Sequence, residues 1–289
     1  MGRKYTKYIL IAPAFLLLTG TALYPFVYAL ITSFRYWRLS KSPKPGPFIG
    51  FENYLRAFED ANFWNSVVVT VEFTILSVSL SLLVGIGIAL LLRKSTLVNS
   101  LLKSLLIFPY AMSPALKGFS WRFMLNPHYG IIDKIIDTVC PPLANVVWLG
   151  EPATALFWLA ITEVWGWAPF NALVFIGALD SMDQQVFEAA RVDGATPRQV
   201  FWLITLPMLK PILVMITLLR MIFSVKMFDQ VVTLTGGGPG RATETMNYYI
   251  YRQGFTFYDM GYASALAYML IVALFLFAFF YVVAVMKGD

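Results

Sequence analysis

The sequence EAARVDGATPRQVFWLITLPMLKP, residues 188–211, is the stretch that decides the fold. It places charged residues and turn formers between two long apolar segments. Glu188–Arg191 are good helix formers, Asp193–Gly194 is a turn dipeptide, and Thr196–Pro197 supplies an N-cap followed by proline at the first helical position. Pro207 then redirects the chain into the next apolar segment. The stretch predicts two short helices joined by a turn, which we call the charged knob; a solvated loop with incidental helix is the alternative.

The composition of the whole chain indicates a membrane protein. Of its 289 residues, 58% are hydrophobic and only 13% are charged, whereas roughly a quarter of the residues in a soluble domain carry charge. Several apolar segments exceed the roughly 18 residues that suggest a transmembrane helix. They are also too long for β-barrel strands, which alternate and stay near ten residues. The chain is therefore predicted to be an all-α, polytopic membrane protein with a single transmembrane domain over 1–289.

Six apolar segments are predicted to span the membrane. They lie at 8–33, 64–92, 104–125, 153–178, 208–235 and 260–286, so the loop 180–207 holds most of the charged knob. The first run lacks a small-residue cleavage site, which favours a retained span over a signal peptide. Arg3, Lys4 and Lys7 favour a cytoplasmic N-terminus under the positive-inside rule. An even number of spans then places the C-terminus and loop 180–207 on the cytoplasmic side as well.

The residues that support metal, disulfide or nucleotide chemistry are scarce. Cys140 and His128 each stand alone, so neither an intramolecular disulfide nor a metal site is predicted. The sequence contains no Gly-Lys dipeptide and hence no phosphate-binding P-loop, and Gly236–Gly240 is typical of a turn. The net charge of +6 indicates contact with anionic lipid rather than nucleic acid. We therefore expect no cofactor in this chain and no enzymatic activity of its own.

The charged knob resembles the EAA signature of the permease subunits of bacterial ABC importers. The matching residues are Glu188, Ala189, Ala190, Asp193, Gly194, Ala195, Phe201, Ile204, Leu206, Pro207 and Pro211. Two further segments, GFSWRFMLNPHYGIID (118–133) and TLTGGGPGRATETMNYYIYRQGF (233–255), are similar to segments of carbohydrate importers. The resemblance covers nearly the whole chain. It points to the subunit type of the larger maltose permease and the glycerol-phosphate permease.

This resemblance implies a type I permease fold and a set of partners. Residues 188–211 would form a coupling helix that docks on an ATP-binding subunit, through Glu188, Ala189, Ala190, Asp193, Gly194, Ala195 and Pro207. Two such subunits would bind ATP and Mg, and a second homologous permease would complete a heterodimer. An extracytoplasmic solute-binding protein would meet residues 236–258. The location implied is the bacterial cytoplasmic (inner) membrane, and the implied activity is import of a sugar or sugar/glycerol derivative, neutral or acidic, by alternating access.

Ionisable and aromatic residues in the spans supply the candidate substrate site, because charges within a membrane usually face a cavity or each other. Aromatic rings can stack on sugar faces while polar groups bond the hydroxyls. The candidates in the fourth and fifth spans are Glu163, Trp165, Trp167, Phe170, Asn171, Arg220, Ser224 and Met227. Arg220 would either bind an anionic group of the substrate or pair internally with Glu163 or Asp229. Asn171 and Gln230 would act either as ligands or as interhelical hydrogen-bonding groups.

Two other classes of function compete with this interpretation. An ion-coupled secondary transporter of a small polar solute could use Glu163 and Asp229 as its ion site, but it would leave 188–211 without a role. A membrane-embedded enzyme would need converging His, Asp or Ser side chains, and the chain has one histidine.

Overall fold

A computed structural model describes residues 3–94, 96–143 and 146–286. Over these residues the regular secondary structure is helical, and the connecting segments contain two isolated bridges, Arg35–Phe48 and Arg38–Asp259. The helices are α1 (Arg3–Leu18), α2 (Tyr24–Ser33), α3 (Glu52–Glu59), α4 (Ala61–Leu92), α5 (Leu97–Ala111), α6 (Pro114–Met124), α7 (Ile131–Val139), α8 (Pro152–Asp180), α9 (Gln184–Val192), α10 (Pro197–Val200), α11 (Leu206–Val225), α12 (Met246–Tyr251) and α13 (Met260–Met286). The predicted all-α class is confirmed.

Five stretches of the described residues are long and apolar enough to cross a membrane. They are Leu10–Ser33, Ala61–Leu92, Pro152–Asp180, Pro197–Val225 and Met260–Ala284. The first of them continues from α1 into α2 through a π-helical turn at Thr19–Leu23. The prediction of a single domain stays a prediction.

The predicted third span, 104–125, differs from the structure, which divides this region into α5 and α6. The break lies at Ser113, whose ψ of 145° is extended, because a residue that precedes proline is disfavoured in the helical region. The Ser113 side chain accepts a hydrogen bond from the Leu116 amide, and Pro114 takes the first helical position. Together they begin a new helix, and this restart fixes where Lys117 lies.

By its contacts the chain divides into two compact units, of which the first comprises Met1–Trp64 and Tyr249–Leu276. Two carboxylates organise its polar core. Asp259 pairs with Arg56 at 2.7 Å and with Arg38 at 3.4 Å. Asp60 accepts hydrogen bonds from the Tyr249 hydroxyl at 2.5 Å and from the Asn62 amide at 2.9 Å.

Asp60 lies just before α4, and its environment favours the charged form. Burial by itself would raise the pKa of this carboxyl group. Hydrogen bonds from the Tyr249 hydroxyl, the Asn62 amide and the Tyr262 hydroxyl outweigh burial and lower the pKa of Asp60 below its ordinary value. The carboxylate therefore fastens the segment before α4 to α12 and α13 within this unit.

The second unit comprises Asn65–Tyr248 and Phe277–Asp289. One of its apolar cores gathers Phe73, Trp121, Leu159 and Val231 with their neighbours. The other gathers residues from α8, α9 and α11 beside the charged knob, namely Phe175, Leu179, Phe187 and Leu209.

Close packing between α4 and α8 depends on Gly85, one of the two glycines of α4, the other being Gly87. A Cβ added at Gly85 would lie 2.8 Å from the Asn171 Cβ, whereas one added at Gly87 would meet nothing within 4 Å. Small residues let helix backbones approach closely in membranes. Gly85 therefore permits the contact that positions Asn171.

Candidate functional site

The charged knob has the local structure that its sequence predicts. α9 ends at Val192, and the chain turns through Gly194, whose φ of +75° is readily adopted only by glycine. Thr196 then caps α10 in a capping box, in which its side chain accepts from the Gln199 amide and the Gln199 side chain accepts from the Thr196 amide. This reciprocal pairing satisfies donors at the helix start. The segment is thus an ordered helix–turn–helix rather than a loop with incidental helix.

One face of the charged knob is anchored and the other is exposed. Ala190 is buried, and so is Phe187, the α9 residue just before the charged knob, which packs in the apolar core formed with α8 and α11. The Arg93 guanidinium lies 5.0 Å from the Phe187 ring centroid and adds a cation–π contact. Glu188 is exposed, and Val192 is 88% exposed.

The remaining predicted coupling residues lie on or beside this exposed face. Ala189, Asp193 and Gly194 are exposed, Ala195 is half-buried, and Pro207 is exposed at the start of α11. Between Val200 and α11 the chain forms a π-helical turn, Phe201–Thr205. From Leu206 to Val225, α11 is a single helix that contains Pro211. The charged knob therefore continues directly into the helix that carries Arg220.

A buried ion pair joins α8 to α11. Nη1 and Nη2 of Arg220 both lie 3.2 Å from Oε1 of Glu163, and the two residues are 1% and 3% exposed. The Arg220 guanidinium also lies 4.3 Å from the ring centroid of Trp167. Of the two internal partners that the sequence allowed for Arg220, the structure selects Glu163.

A third charge, which the sequence analysis did not select, lies beside this pair. Lys117 in the first turn of α6 is 4% exposed. Its ammonium packs on Gly166 of α8, where an added Cβ would lie 2.6 Å from Nζ. Lys117 lies near enough to Glu163 and Arg220 for both charges to act on its ammonium. The sequence signal that could have identified Lys117 is a lysine inside an apolar segment, because such residues are often functional.

The predicted aromatic residues fall into two groups. Trp167 contacts Phe223 at a centroid distance of 5.2 Å, and Phe170 stacks on Tyr110 at 5.0 Å. Trp165 instead lies 5.9 Å from Trp121. Residues two positions apart on a helix point in nearly opposite directions, since each residue turns by about 100°. Trp165 is therefore separate from the aromatic group next to Arg220.

The smaller predicted site residues take part in helix packing. The Ser224 hydroxyl is 3.0 Å from the Ser77 hydroxyl on α4, and Asn171 donates from Nδ2 to the Ser81 carbonyl at 3.2 Å. Met227 is buried in the apolar core around Trp121. These contacts fit the alternative in which the polar residues hold the helices together.

Comparison with known proteins places this architecture in a family. The family model for the inner membrane component of binding-protein-dependent transport systems matches residues 81–287. The chain belongs to this family. The predicted ABC importer permease family is thereby confirmed, together with its inner-membrane location, and the ion-coupled alternative gains no support.

Relatives of the permease are named as sugar transporters. The trehalose/maltose transport system permease protein of Thermococcus litoralis is 36% identical over 74% of this chain and 71% of its own length. The sulfoquinovosyl glycerol transport system permease protein of Agrobacterium fabrum is 33% identical over 92% of this chain and 86% of its own. A solved bacterial transporter that imports the acidic polysaccharide alginate superposes with a TM-score of 0.84, at 20% identity over 99% of this chain and 96% of that chain. At that identity the superposition confirms the type I permease fold.

Proposed function

We propose that this chain is the transmembrane subunit of an ATP-driven importer that moves a sugar or sugar/glycerol derivative across the cytoplasmic membrane by alternating access. The observation that carries the proposal is the charged knob, an ordered helix–turn–helix with a buried anchor at Phe187 and an exposed tip around Val192. The sugar class is supported by the names of the relatives that match most of the chain.

The ATP-binding subunits are proposed to dock on the exposed face of the charged knob. Glu188, Ala189, Asp193 and Gly194 would present their surface to a cleft on that partner, with Val192 as the apolar contact. The partner, rather than this chain, would bind ATP and Mg. The packing of Phe187 against α8 and α11 supports this role, because a docked segment can transmit a displacement only if it is rigidly attached to the spans.

The path from the charged knob to the substrate site is proposed to be α11. Arg220 lies 13 residues after Pro207 on one continuous helix, which corresponds to about 20 Å at 1.5 Å per residue. A displacement of the charged knob would therefore move the Arg220 end of α11 against α8. This would alter the surroundings of Glu163 and Trp167, which are the proposed contacts for the substrate.

The complex is proposed to contain a second permease and an extracytoplasmic solute-binding protein. The turn at Gly236–Gly240 and the following residues to 258 would meet the binding protein. Trp167, Phe170 and Tyr110 would offer aromatic faces to a sugar ring. Asn171, Ser224 and Met227 are proposed to line the same route while they hold α4, α8 and α11 together.

A substitution at the tip of the charged knob tests this proposal. We expect Val192→Asp to weaken binding of the ATP-binding subunits at least about tenfold, since a charge in the centre of an interface is costly. Val139 at the end of α7 is 71% exposed and offers a matched control, Val139→Asp. Co-purification of the ATP-binding subunits and ATP-dependent uptake in proteoliposomes would both be measured.

The outcomes separate the proposal from its competitor. Loss of co-purification and uptake in Val192→Asp, with both retained in Val139→Asp, supports an ATP-driven importer. Uptake that follows an ion gradient without ATP, unaffected by Val192→Asp, would overturn it in favour of a secondary transporter.

A further inference from the structure

Three ionisable side chains on α6, α8 and α11 form a buried cluster with unequal charges. In their ordinary charged forms Lys117 and Arg220 carry two positive charges, and Glu163 carries one negative charge. Their exposed fractions are 4%, 1% and 3%. Burial of a charge without a partner costs several kcal/mol. The cluster thus encloses one positive charge that no described residue neutralises.

The unmatched charge is accompanied by unmatched hydrogen-bond donors. Glu163 occupies Nη1 and Nη2 of Arg220, but Nε of Arg220 has no partner among the described residues. No hydrogen bond or ion pair joins the Lys117 ammonium to another described side chain. The indole N–H of Trp121, one turn after Lys117 on α6, is also buried without a partner. An ammonium offers three donors and a guanidinium five, so Lys117 and Arg220 contribute unmatched donors that carry positive charge, and the Trp121 indole adds a neutral one.

The group that complements these donors is an anion rather than a neutral hydroxyl. A neutral hydroxyl would satisfy one donor but leave the net charge buried. A carboxylate, phosphate or sulfonate would supply several acceptor oxygens and the missing negative charge, and charge-assisted hydrogen bonds are roughly twice as strong as neutral ones.

We infer that Lys117, together with Nε of Arg220, forms an anion-binding subsite that selects substrates carrying a carboxylate, phosphate or sulfonate group. The inference rests on the proposed function, since it assigns the substrate class of the same importer. Glu163 holds Arg220 in place and prevents the site from carrying two unmatched cations. Gly166 leaves the room that the Lys117 ammonium occupies, because a Cβ there would lie 2.6 Å from Nζ.

The test compares acidic and neutral forms of one sugar in the complete importer, assembled with its partner permease, ATP-binding subunits and solute-binding protein. The binding protein is first screened against neutral saccharides and against glucuronate, glucose 6-phosphate and the 6-sulfonate of glucose. ATP-dependent uptake of each captured ligand is then measured in proteoliposomes. For the wild-type chain we expect uptake of acidic ligands to exceed that of their neutral counterparts.

Lys117→Gln removes the charge and keeps a polar side chain of similar reach. We expect it to lower the ratio of acidic to neutral uptake roughly 10- to 100-fold, the effect of losing one hydrogen bond to a charged group. Lys117→Arg should restore most of that ratio, a rescue that a purely structural role would not tie to ligand charge. Arg122→Gln removes an exposed positive charge from the same helix and should leave the ratio unchanged.

The results distinguish failure of the inference from failure of the proposed function. If the wild-type importer moves only neutral saccharides, or if Lys117→Gln changes acidic and neutral uptake equally, the anion subsite is wrong while the importer stands. If the binding protein captures no saccharide and the importer moves none, the proposed function itself is wrong. The wild-type comparison needs no variant, so it decides the question even if Lys117→Gln does not assemble.

Discussion

The buried ion pair between Glu163 and Arg220 allows the loss of stability in Glu163→Gln to be predicted quantitatively. The substitution Glu163→Gln preserves the shape of the side chain and removes its charge. Arg220 then keeps its two N–H groups at the same place, 3.2 Å from an amide instead of a carboxylate. Two cations, Arg220 and Lys117, would remain buried without any carboxylate.

The expected cost follows from the distance and the burial. Two unit charges 3.2 Å apart attract by about 5 kcal/mol at an effective dielectric constant near 20. Removal of one partner from a buried pair typically destabilises a protein by roughly 3–5 kcal/mol. The contact of Arg220 with Trp167 survives and is worth about 1–2 kcal/mol, so it does not offset the loss. We expect the midpoint of thermal unfolding to fall by about 10 °C.

The assay is a double-mutant cycle on the purified permease in one detergent. Arg220→Gln and the double substitution Glu163→Gln/Arg220→Gln complete the cycle. If the charges interact as the geometry implies, the double variant is more stable than the sum of the single losses predicts, by about 2 kcal/mol or more. Glu188→Gln on the exposed charged knob is the matched control and should change stability by less than about 0.5 kcal/mol. Simple additivity of the two single losses would refute the reasoning.

Three further predictions concern packing, pH and coupling. Gly85→Ala should lower the free energy of unfolding by about 1–3 kcal/mol, because the added Cβ would lie 2.8 Å from the Asn171 side chain on α8. Gly87→Ala should be neutral or slightly stabilising in the same thermal assay. Equal effects of the two substitutions would contradict the close packing of α4 on α8 at Gly85. Because the pKa of Asp60 is lowered, the stability that its carboxylate contributes is complete above the ordinary pKa of about 4 and is lost as the pH falls below it. Asp60→Asn should flatten the loss of stability below about pH 4, and Tyr249→Phe should reduce that loss. Met215→Pro interrupts the middle of α11 at a side chain that is 53% exposed. Uptake per ATP hydrolysed should fall several-fold, while the ATP-binding subunits should still co-purify. Met215→Ala is the control, and an unchanged ratio of uptake to ATP hydrolysis in Met215→Pro would contradict transmission along α11.

The sequence predicted the charged knob well because its signals are local. Glycine at 194 and the Thr196–Pro197 cap each act within one turn of helix, so no distant contact could override them. Glu163 was predicted as one of two internal partners for Arg220, and the two side chains do pair. The sequence could not choose between Glu163 and Asp229, because that choice depends on how α8 and α11 pack.

Lys117 and the two aromatic groups show where the sequence analysis stopped short. The segment 104–125 was interpreted as one continuous span, which placed Lys117 near its end. Ser113 and Pro114 instead begin a new helix, so Lys117 lies in its first turn, where Gly166 of α8 leaves space for it. That space depends on how α6 and α8 pack, and no local sequence pattern predicts it. The separation of Trp165 from Trp167, by contrast, followed from helical geometry and was predictable.

Stability alone does not account for the buried ionisable cluster of Glu163, Arg220 and Lys117. Well-packed apolar residues of similar volume often replace a buried ion pair without loss, and sometimes with a gain of about 1–4 kcal/mol. In a membrane the apolar choice is easier still, because polar groups inside spans are expensive. The helix of Glu163, α8, contacts both α6, which carries Lys117, and α11, which carries Arg220, and Arg220 lies against Trp167. An ion pair with a third, unmatched cation is thus a poor means of holding α6, α8 and α11 together. It is well suited to bind an anionic group reversibly during transport.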